Sequence, residues 1–165
     1  MKANLAVLSL AMLAVSCSGT GMTHDPAVEK PSYQHQMYTP QTVPWKPAPP
    51  SLRPGAEQAV LEGDPTKSGY FCIRLKLPDG YVVSPHWHPN WERVTVISGT
   101  LQLGQGSTFD KAQTTAYPAG SYWFMEPGMR HFAWAKGETI LQLQTNGPWA
   151  INYVNPADDP RQKGP

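Results

Sequence analysis

Gly80-Tyr-Val-Val-Ser-Pro-His-Trp-His-Pro-Asn-Trp-Glu-Arg-Val-Thr-Val-Ile-Ser-Gly99 is the stretch whose reading decides the fold. His86 and His88 are separated by one residue. In an extended strand alternate side chains leave on the same face, so both imidazoles point at one spot. Pro89-Asn90 favours a turn, which lets the strand reverse and carry Glu92 towards the same point. Two imidazole nitrogens and a carboxylate oxygen converging in this way form a ligand set for a divalent metal with positions left open.

Downstream, Gly120-Ser-Tyr-Trp-Phe-Met-Glu-Pro-Gly-Met-Arg-His131 reads as a short aromatic strand, a Pro127-Gly128 turn and a histidine opening the next strand. Together the two stretches resemble the motif pair of the cupin superfamily. Gly80 to Gly99 matches the first motif at every fixed position: glycine, five residues, His-x-His, three residues, Glu, six residues, glycine. Gly120, Gly128 and His131 fall at the offsets of the second. Glu126 stands where that motif has proline, with Pro127 displaced by one, and Ala135 stands where it has asparagine. Neither departure touches a ligand position. The wider phrasing, from Leu61-Glu-Gly-Asp-Pro65 to Tyr153-Val-Asn-Pro-Ala-Asp-Asp-Pro160, is similar to small bacterial single-domain cupins.

The resemblance implies one small antiparallel jelly-roll barrel with a metal inside, held by His86, His88, Glu92 and His131. Four such ligands leave two positions of an octahedron for water, dioxygen or a substrate oxygen. Mixed imidazole and carboxylate donors favour iron or manganese, with zinc, nickel and copper as further candidates. Cupin barrels also pair through an edge strand or an N-terminal segment, which implies a homodimer.

The bulk properties agree with a single all-β domain. The chain has 165 residues, and its 18 prolines and 14 glycines oppose a helical protein and favour short strands joined by turns. Thirteen basic against 12 acidic residues, with no basic run, exclude nucleic acid as a partner class.

At the N-terminus, Lys2 precedes the apolar run Leu5 to Val15, which suits the core of a signal peptide over residues 1–16 and is shorter than the ~20 residues of a spanning helix. Ala14-Val15-Ser16-Cys17 resembles a bacterial lipobox. This implies export to the periplasm or cell envelope, with Cys17 lipidated as the first mature residue and the lipid as the only membrane contact; the alternative is ordinary cleavage after small residues, with Cys17 incidental. With Cys17 modified, Cys72 stands alone on the more polar face of its strand and reads as a small filler residue.

Residues 17–54 hold eight prolines and no apolar period, and read as a tether, or as an arm strapped to the barrel through Tyr33, Tyr38 or Trp45. The barrel is expected over 55–160, and 161–165 form a polar tail. Strands are expected at Tyr70 to Leu77, Tyr81 to His88, Trp91 to Ile97, Leu101 to Leu103, Thr114 to Tyr117 and Tyr122 to Met125. They continue at His131 to Ala135, Thr139 to Thr145 and Trp149 to Val154, with turns at Ser98-Gly99 and Lys136-Gly137.

Alternation from His131 puts Ala133 and Ala135 beside the metal and turns Phe132 and Trp134 away. Trp87, Trp91, Tyr122, Trp123, Phe124 and Met125 also crowd the motifs, and those on the inward parity would line an apolar cavity. Arg74, Arg93, Arg130, Gln142 and Glu126 read as surface residues, and His24 and His35 carry no role.

The leading functional expectation is a metal-dependent enzyme acting on a small molecule, an oxygenase first. A non-oxidative isomerase or lyase is the second reading and a non-catalytic metal or ligand sensor the third.

Overall fold

A computed structural model of the chain describes residues 35–162. The expected signal peptide, Cys17, His24 and Tyr33 lie outside the described residues. Nine strands follow one another: β1 (Lys46–Pro47), β2 (Glu57–Glu62), β3 (Gly69–Leu77), β4 (Val82–Trp87), β5 (Glu92–Gln105), β6 (Thr115–Pro118), β7 (Tyr122–Met125), β8 (His131–Gly147) and β9 (Asn152–Tyr153). Every strand pairing is antiparallel. Three short 3-10 turns, at Lys111–Gln113, Pro156–Asp158 and Pro160–Gln162, complete the described elements. Among the described residues no helix is long and apolar enough to cross a membrane.

The pairing registers explain how this sheet closes into a jelly-roll barrel. β5, of 14 residues, and β8, of 17, run antiparallel along their length. The first half of β5 and the second half of β8 are flanked by β7 and β3, whereas their other halves are flanked by β6 and β4. Each long strand thus belongs to two sheets and turns the corner between them. The corners are Ser98-Gly99, where the register shifts, and Lys136-Gly137 opposite. The sequence presents these pairs as chain reversals, but both are bends within continuous strands. The physical reason lies at Gly99, whose φ is +76° and whose missing Cβ would sit 2.3 Å from the Glu138 carbonyl oxygen. Only glycine lets the two bent strands pass this closely.

Period-two alternation fills the barrel. On β3, Phe71, Ile73 and Leu77 are buried, and they pack with Val94 and Val96 of β5 and Leu141 and Leu143 of β8. Each such side chain contributes about 1.5–3 kcal/mol of transfer free energy. Phe132 is buried on the opposite parity from His131 and meets Phe109 edge-on at 5.4 Å between ring centroids. A Cβ on Gly104 would lie 2.4 Å from the Phe132 ring, so that glycine admits the ring. Trp134, also turned outward, lies under the Lys111 ammonium at 4.6 Å. Cys72 stands in register with Glu62 and Gln144 and is buried, and burial raises its thiol pKa, which disfavours the reactive thiolate.

The proline-rich segment takes the second of its two expected forms. From Val43 onward it is an arm packed on the barrel and not a free tether. Val43 and Leu52 are buried, and Lys46 and Pro47 pair with Gln58 and Glu57 on the edge of β2, where the lack of a proline N–H costs nothing. The Ala48 amide donates to Ala56 O, the Tyr81 hydroxyl donates to Arg53 O at 2.6 Å, and the Tyr153 hydroxyl donates to Ser51 O at 2.8 Å. The Lys76 ammonium sits 4.5 Å above the Trp45 ring. At the other end Arg161 donates to Asp159 and to Ile151 O, so the packed body reaches into the expected polar tail.

Candidate metal centre

Three strands deliver the site. His86 lies on β4 directly opposite His131, the first residue of β8, and Glu92 opens β5. His88 follows β4 by one residue, and its carbonyl accepts the Gly128 amide at 2.9 Å, which ties the Pro127-Gly128 turn to the first motif. The register between β4 and β8 shifts between Val83 and His86. This bulge at Ser84-Pro85 resets the strand's phase, so that Val83, His86 and His88 all face the interior.

The chemistry follows from which ring nitrogen is occupied. His86 Nδ1 lies 2.8 Å from Ser84 O, His88 Nδ1 lies 2.8 Å from Ala150 O, and His131 Nδ1 lies 3.0 Å from Met129 O. A carbonyl can only accept, so each Nδ1 carries the hydrogen and each Nε2 presents a lone pair. The three imidazoles bring their ligand atoms within 4.8 Å of one another. Glu92 joins them, with one carboxylate oxygen 3.5 Å from His88 Nε2 and the other 3.4 Å from His131 Nε2.

All four groups are buried, and His88 Nε2 has no hydrogen-bond partner among the described residues. The separations of 3.4 and 3.5 Å are too long for hydrogen bonds of normal strength. They match the ligand-to-ligand edges, about 3.0–3.4 Å, of a polyhedron whose metal bonds are about 2.1 Å. Three imidazole lone pairs crowded beside a carboxyl that gives up its proton to a cation form a metal's donor set, so the residues fit a divalent metal.

Electrostatics agree. Burial, reinforced by the neighbouring imidazoles, holds His86 well below the usual histidine range and His88 at about 3, and burial lowers His131. Neutral imidazole is the form a metal needs. Burial also raises the Glu92 carboxyl to about 8, because nothing cationic stands beside it.

The site opens into a cavity of about 60 Å³ with mostly apolar walls. Leu101 and Leu103 of β5, Leu141 and Leu143 of β8 and Trp123 of β7 line it, and Ala133 leaves space beside His131. Tyr122, Phe124 and Trp91 face outward and are exposed, and Arg93 lies over Trp91 at 5.8 Å. Arg74 donates to Gln142 at 3.1 Å and Arg130 to Ser107 at 3.0 Å, Glu126 and His35 are exposed, and none of these lines the cavity.

The motifs did not disclose several wall residues. Trp149 stacks on the His88 ring at 4.0 Å and 20°, and Pro49, Ser51 and Leu52 of the arm form part of the wall. Trp149 lies outside both motif stretches. The arm residues carry no periodicity, so a pairing across about a hundred residues, such as Tyr153 with Ser51, has no local signal.

A small jelly roll whose cavity ends in a three-histidine cluster, delivered by a His-x-His strand and the start of a later strand, defines a cupin. More specifically, the chain belongs to the ChrR cupin-like domain family, whose profile matches residues 33–150. No curated protein matches the chain by sequence. Among solved structures it is similar to a polyketide cyclase from Streptomyces resistomycificus, at 15% identity and a TM-score of 0.62, over 80% of this chain and 95% of that one. It is also similar to an acetylacetone dioxygenase from Acinetobacter johnsonii, at 17% identity and a TM-score of 0.59, over 81% of this chain and 87% of that one. A third likeness, to an RmlC-like cupin from Shewanella frigidimarina, has 12% identity and a TM-score of 0.53, over 68% of this chain and 91% of that one. These likenesses establish the fold.

Proposed function

We propose that this chain is a metal-dependent cupin enzyme acting on a small molecule, with oxygenation as the reaction type. The observation that carries the reading is the meeting of three buried, neutral Nε2 lone pairs with the Glu92 carboxylate, His88 Nε2 having no partner of its own. His86, His88, Glu92 and His131 would hold the ion, iron or manganese in preference to zinc, nickel or copper. Bound there, such an ion supplies Lewis acidity and one-electron chemistry towards dioxygen.

The protein's own part is positioning and exclusion. The carbonyls of Ser84, Ala150 and Met129 fix the three imidazole tautomers, and Trp149 fixes the plane of His88. Glu92 offsets cationic charge, and the leucine and isoleucine walls keep bulk water from the reacting end. The shared fold with an acetylacetone dioxygenase supports the oxygenase reading. Turnover by the iron- or manganese-loaded protein should stop when oxygen is removed; turnover that persists points instead to a non-oxidative isomerase or lyase.

One observation favours a binding module: the cavity lining holds no titratable group besides the four cluster residues. If the pure, metal-loaded protein retains a bound ligand chemically unchanged in air, the sensor reading replaces the enzyme. We also propose export to the cell envelope through the signal peptide at 1–16, with Cys17 as the lipid-bearing residue. Labelled palmitate should enter the wild-type protein in a bacterial host and not Cys17→Ser. A homodimer completes the reading, and light scattering on the pure protein tests it.

A further inference from the structure

The cavity has one wall that the barrel does not supply. Its strands contribute the cluster and most of the apolar lining, but Pro49, Ser51 and Leu52 come from the arm. Leu52 is 6% exposed and packs into the same core cluster as Ile73, Leu77 and Leu141. Its backbone is held, because its own amide donates to Pro49 O at 2.9 Å while the Tyr153 and Tyr81 hydroxyls hold the carbonyls on either side of it. Tyr153 is also the cross-strand partner of His86. One side chain therefore fastens the arm and borders the metal centre.

The remaining space is small. A cavity of about 60 Å³ is small beside the ~300–1,000 Å³ of ordinary ligand pockets. Outside the four cluster residues, Ser51, Gln58, Trp123 and Trp149 are the lining residues whose side chains carry a polar atom, and leucine, isoleucine and valine make up most of the rest. A polyhydroxylated or multiply charged molecule would leave its polar groups unpaired against those walls. A molecule with one oxygen-bearing end and a short apolar body would not.

We propose that the arm, through Leu52, sets the size limit of this site, and that the accepted class is a compact, mainly apolar molecule with a single oxygen-donor head, such as a carboxylate or enolate. The donor head rests on the metal reading given above. The limits on size and polarity rest on the walls alone.

Cobalt(II)-loaded full-length protein, whose visible spectrum reports a change of ligand at the ion, tests both parts with acetate, butyrate, octanoate and the polyhydroxylated four-carbon acid threonate as probes. In the wild type, butyrate should perturb the spectrum at a concentration at least about tenfold lower than octanoate or threonate. In Leu52→Ala the preference for butyrate over octanoate should shrink several-fold, while threonate stays weak. Leu52→Val, which removes a single methylene-sized volume, should shift the same ratio in the same direction and serves if the alanine variant does not fold.

Octanoate or threonate matching butyrate in the wild type overturns the proposal, as does an unchanged ratio in both variants. If cobalt gives no protein-dependent spectrum, the metal reading fails, and the size claim is then decided on metal-free protein. There, benzene should raise the melting temperature of the Leu52 variants more than that of the wild type, and equal shifts overturn it.

Discussion

Thr139 and His88 are hidden alike, 0% and 4% exposed, yet they stand in opposite relation to their surroundings. Thr139 sits where β5 and β8 turn the corner. Its hydroxyl accepts the Thr100 amide at 3.2 Å and reaches the carbonyls of Thr100 and Gly137, each at 3.1 Å. Its hydrogen-bonding capacity is met within the fold. His88 spends its N–H on Ala150 O and leaves Nε2 facing two more lone-pair donors and a carboxylate. A satisfied buried polar group locks a backbone in place, whereas an unsatisfied one that converges with others keeps a place for something that is not protein. Burial alone does not distinguish the two regions; partner counting does.

The contrast can be broken first on the side of the corner. Gly99→Ala puts a methyl where the Glu138 carbonyl oxygen lies 2.3 Å away, at a φ of +76°, and should destabilise the barrel by about 3 kcal/mol or more in chemical denaturation. On the side of the cluster, His86→Ala should weaken metal affinity by at least about 100-fold in competition with a chelator, since even outer partners of metal ligands are worth 10–100-fold. Thr139→Val strands the Thr100 amide and carbonyl and should cost about 1–3 kcal/mol of stability with metal affinity per folded molecule unchanged.

Acidity sharpens the comparison. Burial holds Glu92 at about 8, above its ordinary 4.5, so the metal-free fold favours the protonated carboxyl and loses stability as pH rises from 4.5 through 8. His88, lowered from 6.5 to about 3, acts in the opposite sense: its contribution is lost as pH falls from 6.5 through 3. An ion must displace the Glu92 proton, so its affinity should climb up to about tenfold per pH unit below pH 8 and flatten above it. Calorimetry in buffers of different ionisation enthalpy should count about one proton released per ion near pH 7. Last, Glu92→Met should make the metal-free barrel more stable by about 1 kcal/mol at pH 8, because a buried carboxyl without hydrogen bonds is exchanged for an apolar side chain. A loss there would place Glu92 with Thr139, as part of the framework.

The convergence of His86, His88 and Glu92 was legible from local rules, whereas His131 entered through the resemblance of the second stretch to a family motif. Spacing by two put His86 and His88 on one face, a Pro-Asn turn returned Glu92, and alternation from His131 separated Ala133 from Phe132. The same rules misread glycine inside a strand. Ser98-Gly99 and Lys136-Gly137 look like turns, and only the partner strand shows that β5 and β8 run through them. Alternation also has no memory of a bulge, so the phase change at Ser84-Pro85 was invisible although both flanking pieces were strand. Leu52 and Trp149 escaped for other reasons: Leu52 is a single apolar residue among prolines, and Trp149 reads as the start of a strand that the structure confines to Asn152–Tyr153.

The double membership of β5 and β8 has a mechanical consequence. Two walls sharing their longest members cannot part along a seam, so amide hydrogens on both should exchange together, through one global opening. The segment around Leu52 is fastened separately, by pairing with β2 and by carbonyls that accept from Tyr81 and Tyr153, so its amides should exchange independently of the staves of the barrel. The wall of the cavity and its frame are thus two separately anchored parts of one fold.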